Sequence, residues 1–300
     1  MRNMRNRRGR FFLSRVIKIN LTQDELMDAI CNPAIVHVRN HNWTIIDIVD
    51  KRDSAIPFVY GKLVKYADDS LDVVDELSHK QSQSLTPNLV KASSPFVYLP
   101  LFSGLCFLYV YNGIQDDVFP RRFKKIIEDS RKLKYDDLLI ECEVDAVADY
   151  SEFRKKILEI KKVIEIDAKV FPPNPLFGPY WKSLKDYLME RDSTMLKINE
   201  QSEKKEGIKT KLPKLIQDIE NNQSIDGVLP DLADAALLMA ADGYGKGKLV
   251  GEGKNKEIIE VNTQDAQKSF LLEKDPSPEQ LALHACKEFS KVSKERDMSH

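Results

Sequence analysis

The sequence predicts an α+β fold, a mostly antiparallel sheet with helices on one face and a smaller C-terminal α+β lobe. Three observations carry this. Between Phe11 and Tyr111, short β-branched and aromatic runs alternate with turn residues. From Asp116 the apolar period becomes that of an amphipathic helix, and strand, helix and strand follow one another up to Phe171. Pro172, Pro173 and Pro175 then forbid continuation of the strand, which divides the chain into a domain over 11–172 and a lobe over 173–300.

The elements follow in order. FFLSRVIKI, from Phe11, reads as a strand. Thr22 caps a short helix, with Glu25 completing a capping box and Leu26, Met27 and Ile30 on its apolar face; Asn32-Pro33 ends it. Strands are expected from Trp43 (WTIIDIVDK), Phe58 (FVYGKLVKY), Leu71 (LDVVDEL), Pro95 (PFVYLP) and Gly104 (GLCFLYVY). The next helix places Val118, Phe119, Phe123, Ile126 and Ile127 on one side, with Pro120 in its first turn. LLIECEVDAVA, from Leu138, is a strand, Ser151 to Lys161 a helix, and VIEIDAKVF the last strand before the prolines.

Beyond the prolines, Leu176 to Glu190 is expected to be helical and Met195 to Asn199 a strand. Gln201 to Lys214, rich in Lys and Glu, reads as a solvated loop. The segment from Asp231 is two-sided, since its alanines favour helix while its glycines and the IIEV run favour a bent hairpin; the hairpin is expected from Leu237 onwards. Pro276 precedes a final helix carrying Leu281, Leu283, Ala285, Cys286 and Phe289.

Composition narrows the class. With 42% apolar residues in 300, the chain can bury a core without staples. Its 46 basic and 47 acidic residues nearly cancel, so a charged partner has to be met by a local patch. Four dispersed cysteines, Cys31, Cys106, Cys142 and Cys286, fit reduced thiols in a cytoplasmic protein. Arg15 and Lys18 interrupt the apolar stretch an export signal would need. The apolar run from Gly104 to Tyr111 is far short of the roughly 20 residues of a spanning helix, so no membrane partner is expected.

Enzyme chemistry finds little foothold. The glycines from Gly243 to Gly253 fail the dinucleotide spacing, because Lys248 stands where a third glycine belongs. Asp167-Ala-Lys169 matches the acid-x-Lys half of a metal-dependent nuclease site, for which Asp149 would supply the second carboxylate. The same pattern recurs at Glu159-Lys161, Glu203-Lys205 and Glu252-Lys254, so its specificity is low. His37 and His41 have a helical metal-ligand spacing but lie in a strand-and-turn context. No metal or cofactor is called for.

Binding chemistry is better represented. Basic clusters occur at Arg2 to Arg15, Arg121 to Lys134 and Lys204 to Lys214, and the first contains no acid. Clustered cations gain from releasing the counterions of a polyanion. The residues expected to meet a phosphate backbone are Arg121, Arg122, Lys124, Lys125, Lys204, Lys205, Lys209 and Lys211, with Lys246 and Lys248 from the glycine-rich segment.

The succession SPFVYLP, GLCFLYVY, charged helix, LLIECEV, helix and VIEIDAKVFPPNP resembles an uncharacterised prokaryotic family of stand-alone proteins. The NPLFG-x-x-W segment from Asn174 to Trp181 and the ADGYG segment from Ala241 to Gly245 belong to the same resemblance. More distantly, the arrangement is similar to the RexA phage-exclusion proteins and the KwaB components of Kiwa defence. The resemblance implies a cytoplasmic, homodimeric defence or phage-encoded protein that engages DNA without reading its sequence, and it transfers no active-site residue. A metal-dependent nuclease and a protein-interaction module that senses a phage component or controls an effector are the alternatives.

Overall fold

The computed structural model describes residues 8–75, 77, 79–132, 141–172, 178–221 and 230–298. In chain order the elements are β1 (Arg8–Ile19), α1 (Gln23–Cys31), β2 (Val36–Val38), β3 (His41–Lys51), β4 (Phe58–Asp75), β5 (Lys80–Leu99), β6 (Gly104–Leu108), α2 (Val118–Lys132), β7 (Glu141–Ala146), α3 (Tyr150–Glu159) and β8 (Lys162–Val170). They continue with α4 (Lys182–Glu190), β9 (Leu196–Gln201), α5 (Leu212–Glu220), α6 (Leu232–Met239), β10 (Gly245–Glu252), β11 (Ile258–Asn262), β12 (Ser269–Glu273) and α7 (Pro278–Glu295). The fold is α+β, and the strand pairings among the described residues are antiparallel.

The first sheet runs β12-β1-β6-β5-β4-β3-β2, with β7 also paired to β1. β1 pairs with three strands, β12, β6 and β7, and it is buried over long stretches because both faces of the sheet are covered. On one face, Leu105 and Phe107 of β6 meet Leu26 and Ile30 of α1 and Phe119, Phe123 and Ile126 of α2. On the other, Cys106 and Leu108 meet Leu281, Ala285 and Phe289 of α7. The α1 start is the expected capping box: Glu25 N–H donates to Thr22 Oγ1 at 3.2 Å, and Thr22 N–H donates to Glu25 Oε2 at 2.8 Å.

The second sheet runs β11-β10-β8-β9. Its inner face, through Ile166, Ala168, Val170 and Leu249, shares a core with Phe153 of α3, Leu215 of α5 and Leu237 of α6. Its outer face is polar, carrying Glu165, Asp167 and Lys169 on β8 with Lys246 and Lys248 on β10. Chain segments on either side of the proline break interlock, because β8 pairs with β9 and β10 while β12 returns to β1.

Several elements differ from expectation. The separate strand from Leu71 is the far part of β4, and β5 extends back through polar residues and Pro87 to Lys80. Beyond Tyr66 and Val90 these two strands pair with each other alone among the described residues, which lets a polar, acidic sequence stay extended without a core. The hairpin of β10 and β11 begins at Gly245, not Leu237, because helix propensity prevails through the alanines of α6 and the helical turn Ala240–Tyr244. Gly243 (φ 88°) and Gly245 (φ 155°) make the exit. Helix α4 starts at Lys182, after a turn at Pro179–Trp181. The supposed loop ends at α5, whose Leu212, Leu215, Ile216 and Ile219 are buried, and β12 was not anticipated. Among the described residues no helix is long and apolar enough to cross a membrane.

Candidate anion-binding surfaces

The β2–β3 turn, β4 and the start of α2 enclose a pocket of about 560 Å³. Four cations line it, Arg39, Lys65, Arg121 and Arg122, together with His41 and Trp43, and among the described residues no acidic one lines it. Its geometry follows from local structure. Pairing of Val38 with His41 leaves Arg39 and Asn40 as a two-residue turn, and Arg39 takes the required positive φ of 54°. Trp43 pairs with Lys65 across β3 and β4 and is buried. The Arg122 guanidinium carbon stands 5.3 Å from the Trp43 ring centre and Lys65 Nζ 6.0 Å from it, so one indole holds two cations.

Positive charge predominates: among the described residues Arg39, Lys65 and Arg122 make no ion pair, while Arg121 is paired with Asp117. Burial, followed by the neighbouring Arg121 and Arg39, lowers the proton affinity of Arg122. Burial, with Lys65 and Lys91, lowers that of His41. Arg122 Nε is buried without a hydrogen-bond partner, an unsatisfied donor beside the pocket. Such a site favours an anion, since each added negative charge relieves repulsion among the four cations.

The α2 cluster therefore divides. Arg121 and Arg122 face the pocket, although Arg121 also donates to the Asp117 carbonyl and carboxylate at 2.9 and 2.5 Å. Lys124 is engaged by Glu143 at 2.7 Å and Glu128 at 3.7 Å, and Lys125 by Asp129 at 2.8 Å. In the first cluster, positions 1–7 lie outside the described residues, and Arg15 is 0% exposed, its guanidinium donating to the carbonyls of Asp242 and Phe102. It is a core residue, contrary to its place in a basic leader. Of the third cluster, Lys204, Lys205 and Lys209 are exposed, and Lys211 lies 3.7 Å from Asp231. Lys134 lies outside the described residues.

A second concentration of charge lies on the outer face of the second sheet. Lys197 on β9, Lys169 on β8 and Lys246 on β10 are directly opposed, forming one row across three strands. The next row holds Lys248 opposite Asp167, and Lys248 Nζ is 3.4 Å from Glu165. Asp149 and Asp167 stand apart in role. Asp149 caps α3 by accepting from Glu152 N–H at 3.2 Å, while Asp167 accepts from Asn199 at 3.0 Å and lies 3.7 Å from Lys197. Among the described residues the two carboxylates share no partner, and no three His, Cys, Asp or Glu side chains converge as metal ligands. His37 instead contacts Asn42 across the β2–β3 pair.

The larger cleft of about 1020 Å³ between the two sheets is of mixed charge. Arg10, Arg121, Lys156 and Lys246 line it, but so do Asp116, Asp117, Asp149, Glu152 and Asp265. It is therefore a poorer polyanion site than the smaller pocket. Charge density in the sequence marks Arg121 and Arg122, whereas Arg39, Lys65 and Trp43 reach the pocket through strand pairing and carry no such local signal. Residues 22–291 match the family described as "Domain of unknown function (DUF4747)". No curated protein matches the chain.

Proposed function

This chain belongs to the DUF4747 family, and we propose that it is a nonenzymatic protein that binds DNA through its phosphate backbone without reading sequence. The observation that supports this most is the pocket of Arg39, Lys65, Arg121 and Arg122, which has no acid in its lining. Phosphates displace the counterions that such a site otherwise gathers, and contacts of this kind position a duplex without discriminating its bases. Lys204, Lys205 and Lys209 extend the available positive charge. A cytoplasmic, homodimeric protein acting in anti-phage defence or phage exclusion completes the reading, and this part rests on sequence resemblance alone.

The experiment is binding of duplex and single-stranded DNA with and without Mg²⁺, with the products run on a gel. A shift that leaves the DNA intact is expected. Mg²⁺-dependent cleavage that disappears in Asp167→Ala would replace this reading with a nuclease using Asp149, Asp167 and Lys169.

A second reading draws on the paired extensions of β4 and β5. They carry Asp68, Asp69 and Asp72, and Val74 and Leu85 are 74% and 75% exposed. Apolar side chains in water on an acidic ribbon suit a protein partner, such as a phage component or an effector, better than DNA. Loss of a captured protein partner in Val74→Ser/Leu85→Ser, with DNA affinity retained, is its expected signature.

A further inference from the structure

Asp145 is 1% exposed, and among the described residues neither of its carboxylate oxygens has a hydrogen-bond partner. An ionised carboxylate in that setting is unfavourable unless a cation neutralises it. Lys246 Nζ stands 3.7 Å from Asp145 Oδ1, beyond hydrogen-bond length, on a side chain that is 60% exposed. Close by, the amide nitrogen of Gln264 is also buried and unpartnered, while its oxygen accepts from Ala146 N–H at 3.3 Å.

Lys246 is also the end member of the Lys197, Lys169 and Lys246 row. Neighbouring strands lie about 4.8 Å apart, so the three lysines occupy about 10 Å of one sheet face, and like charges directly opposed on a sheet destabilise it. Lys197 is 64% exposed and its Nζ lies 3.7 Å from Asp167, and Lys169 Nζ stacks over the Phe171 ring at 4.9 Å. We propose that this row is a second phosphate-binding site, separate from the arginine pocket, in which Lys246 exchanges the Asp145 carboxylate for a ligand phosphate.

The exchange moves a proton. Chiefly through burial, Asp145 is already raised to about 6, with Lys246 and then Lys169 acting to lower it and Glu143 to raise it. Of the other charged groups on packed elements, Arg15, opposite it on β1, is committed to carbonyls of Phe102 and Asp242, the Asp242 carboxylate to Arg296, Asp265 to Asn262, and Lys124 of α2 to Glu143. When Lys246 turns to a phosphate, Asp145 loses its counter-charge and takes a proton from solvent onto a carboxylate oxygen. Binding therefore takes up a proton wherever the free carboxylate is ionised. Affinity rises as pH falls towards about 6, by up to about tenfold per pH unit, then levels.

The test is a pH series of affinity for a short duplex DNA and, separately, for inorganic phosphate, using the whole chain, Asp145→Asn and Lys169→Gln/Lys197→Gln. Expected is a wild-type affinity that tightens towards pH 6, an Asp145→Asn protein that holds the tighter affinity at every pH, and a double variant that loses the proton-linked part. The arm in which this happens identifies the phosphate as backbone or free ion. A slope that persists in Asp145→Asn, or a double variant equal to wild type in both arms, overturns the site. Absence of DNA binding at every pH defeats the proposed function, while the inorganic-phosphate arm still decides this one.

Discussion

Trp181 Nε1 donates to Asp242 Oδ2 at 2.8 Å, joining the NPLFG-x-x-W and ADGYG segments in one buried contact. The other Asp242 oxygen accepts from Tyr150 Oη at 2.7 Å and from Arg296 at 2.6 Å, and Arg296 stacks on Tyr150 at 3.9 Å. Arg15 donates to the Asp242 carbonyl. One aspartate thus ties β1, α3, the turn before α4 and the end of α7 together. Asp242→Ala leaves a buried guanidinium without its counter-charge and is expected to cost about 3–5 kcal/mol, against about 1–2 kcal/mol for Trp181→Phe. Urea denaturation measures both, and equal midpoints for Asp242→Ala and wild type would refute the hub.

Gly245 is expected to be irreplaceable for steric reasons. Its φ of 155° is combined with a Cβ position only 2.1 Å from the Lys169 carbonyl oxygen, and that oxygen belongs to the backbone of a paired strand. Gly245→Ala should lose about 3 kcal/mol or more, through backbone strain and displacement of β8. A thermal midpoint within a degree or so of wild type would contradict the β10 path.

Asp145→Asn is expected to stabilise the fold in a pH-dependent way. The folded carboxyl, raised to about 6, holds its proton more tightly than the unfolded one at roughly 3.9, so stability falls as pH rises between those values and the penalty is complete above them. Removing the charge should therefore gain about 3 kcal/mol near neutral pH and nothing near pH 4. Denaturation at the two pH values checks the sign directly.

Within α2, charge engagement separates residues that look alike in sequence. Lys124 and Lys125 are held by Glu143 and Asp129, so Lys124→Gln/Lys125→Gln should leave DNA affinity within about twofold. Trp43→Leu removes the ring that holds Arg122 and Lys65. It should weaken DNA binding several-fold and destabilise the fold by about 2 kcal/mol or more. Fluorescence anisotropy resolves these outcomes, and the reverse order of effects would move the binding face along the helix.

Local rules made much of this molecule legible. The Thr22–Glu25 capping box, the α2 apolar face and the strands around β6 and β8 arise from neighbours in sequence. What escaped depends on pairing at a distance. β5 lacks apolar alternation because its far part is held by β4 alone, and the helix of α6 prevails over nearby glycines because Leu237 and Leu238 are buried against β8. At the site, Arg122 was legible as charge, but nothing near it in sequence announces Trp43. Arg15 shows the opposite case, where a basic leader residue folds into the core.

Phosphate-backbone binding through the arginine pocket is tested by the salt dependence of duplex DNA affinity for wild type and for Arg39→Gln/Arg121→Gln/Arg122→Gln. Each lost phosphate contact reduces the slope of log affinity against log salt by about 0.9. A steep wild-type slope is expected, shallower by about 2 to 3 in the triple variant, with the DNA left intact. A wild-type protein that does not bind DNA at low salt, or a triple variant with an unchanged slope, would contradict it.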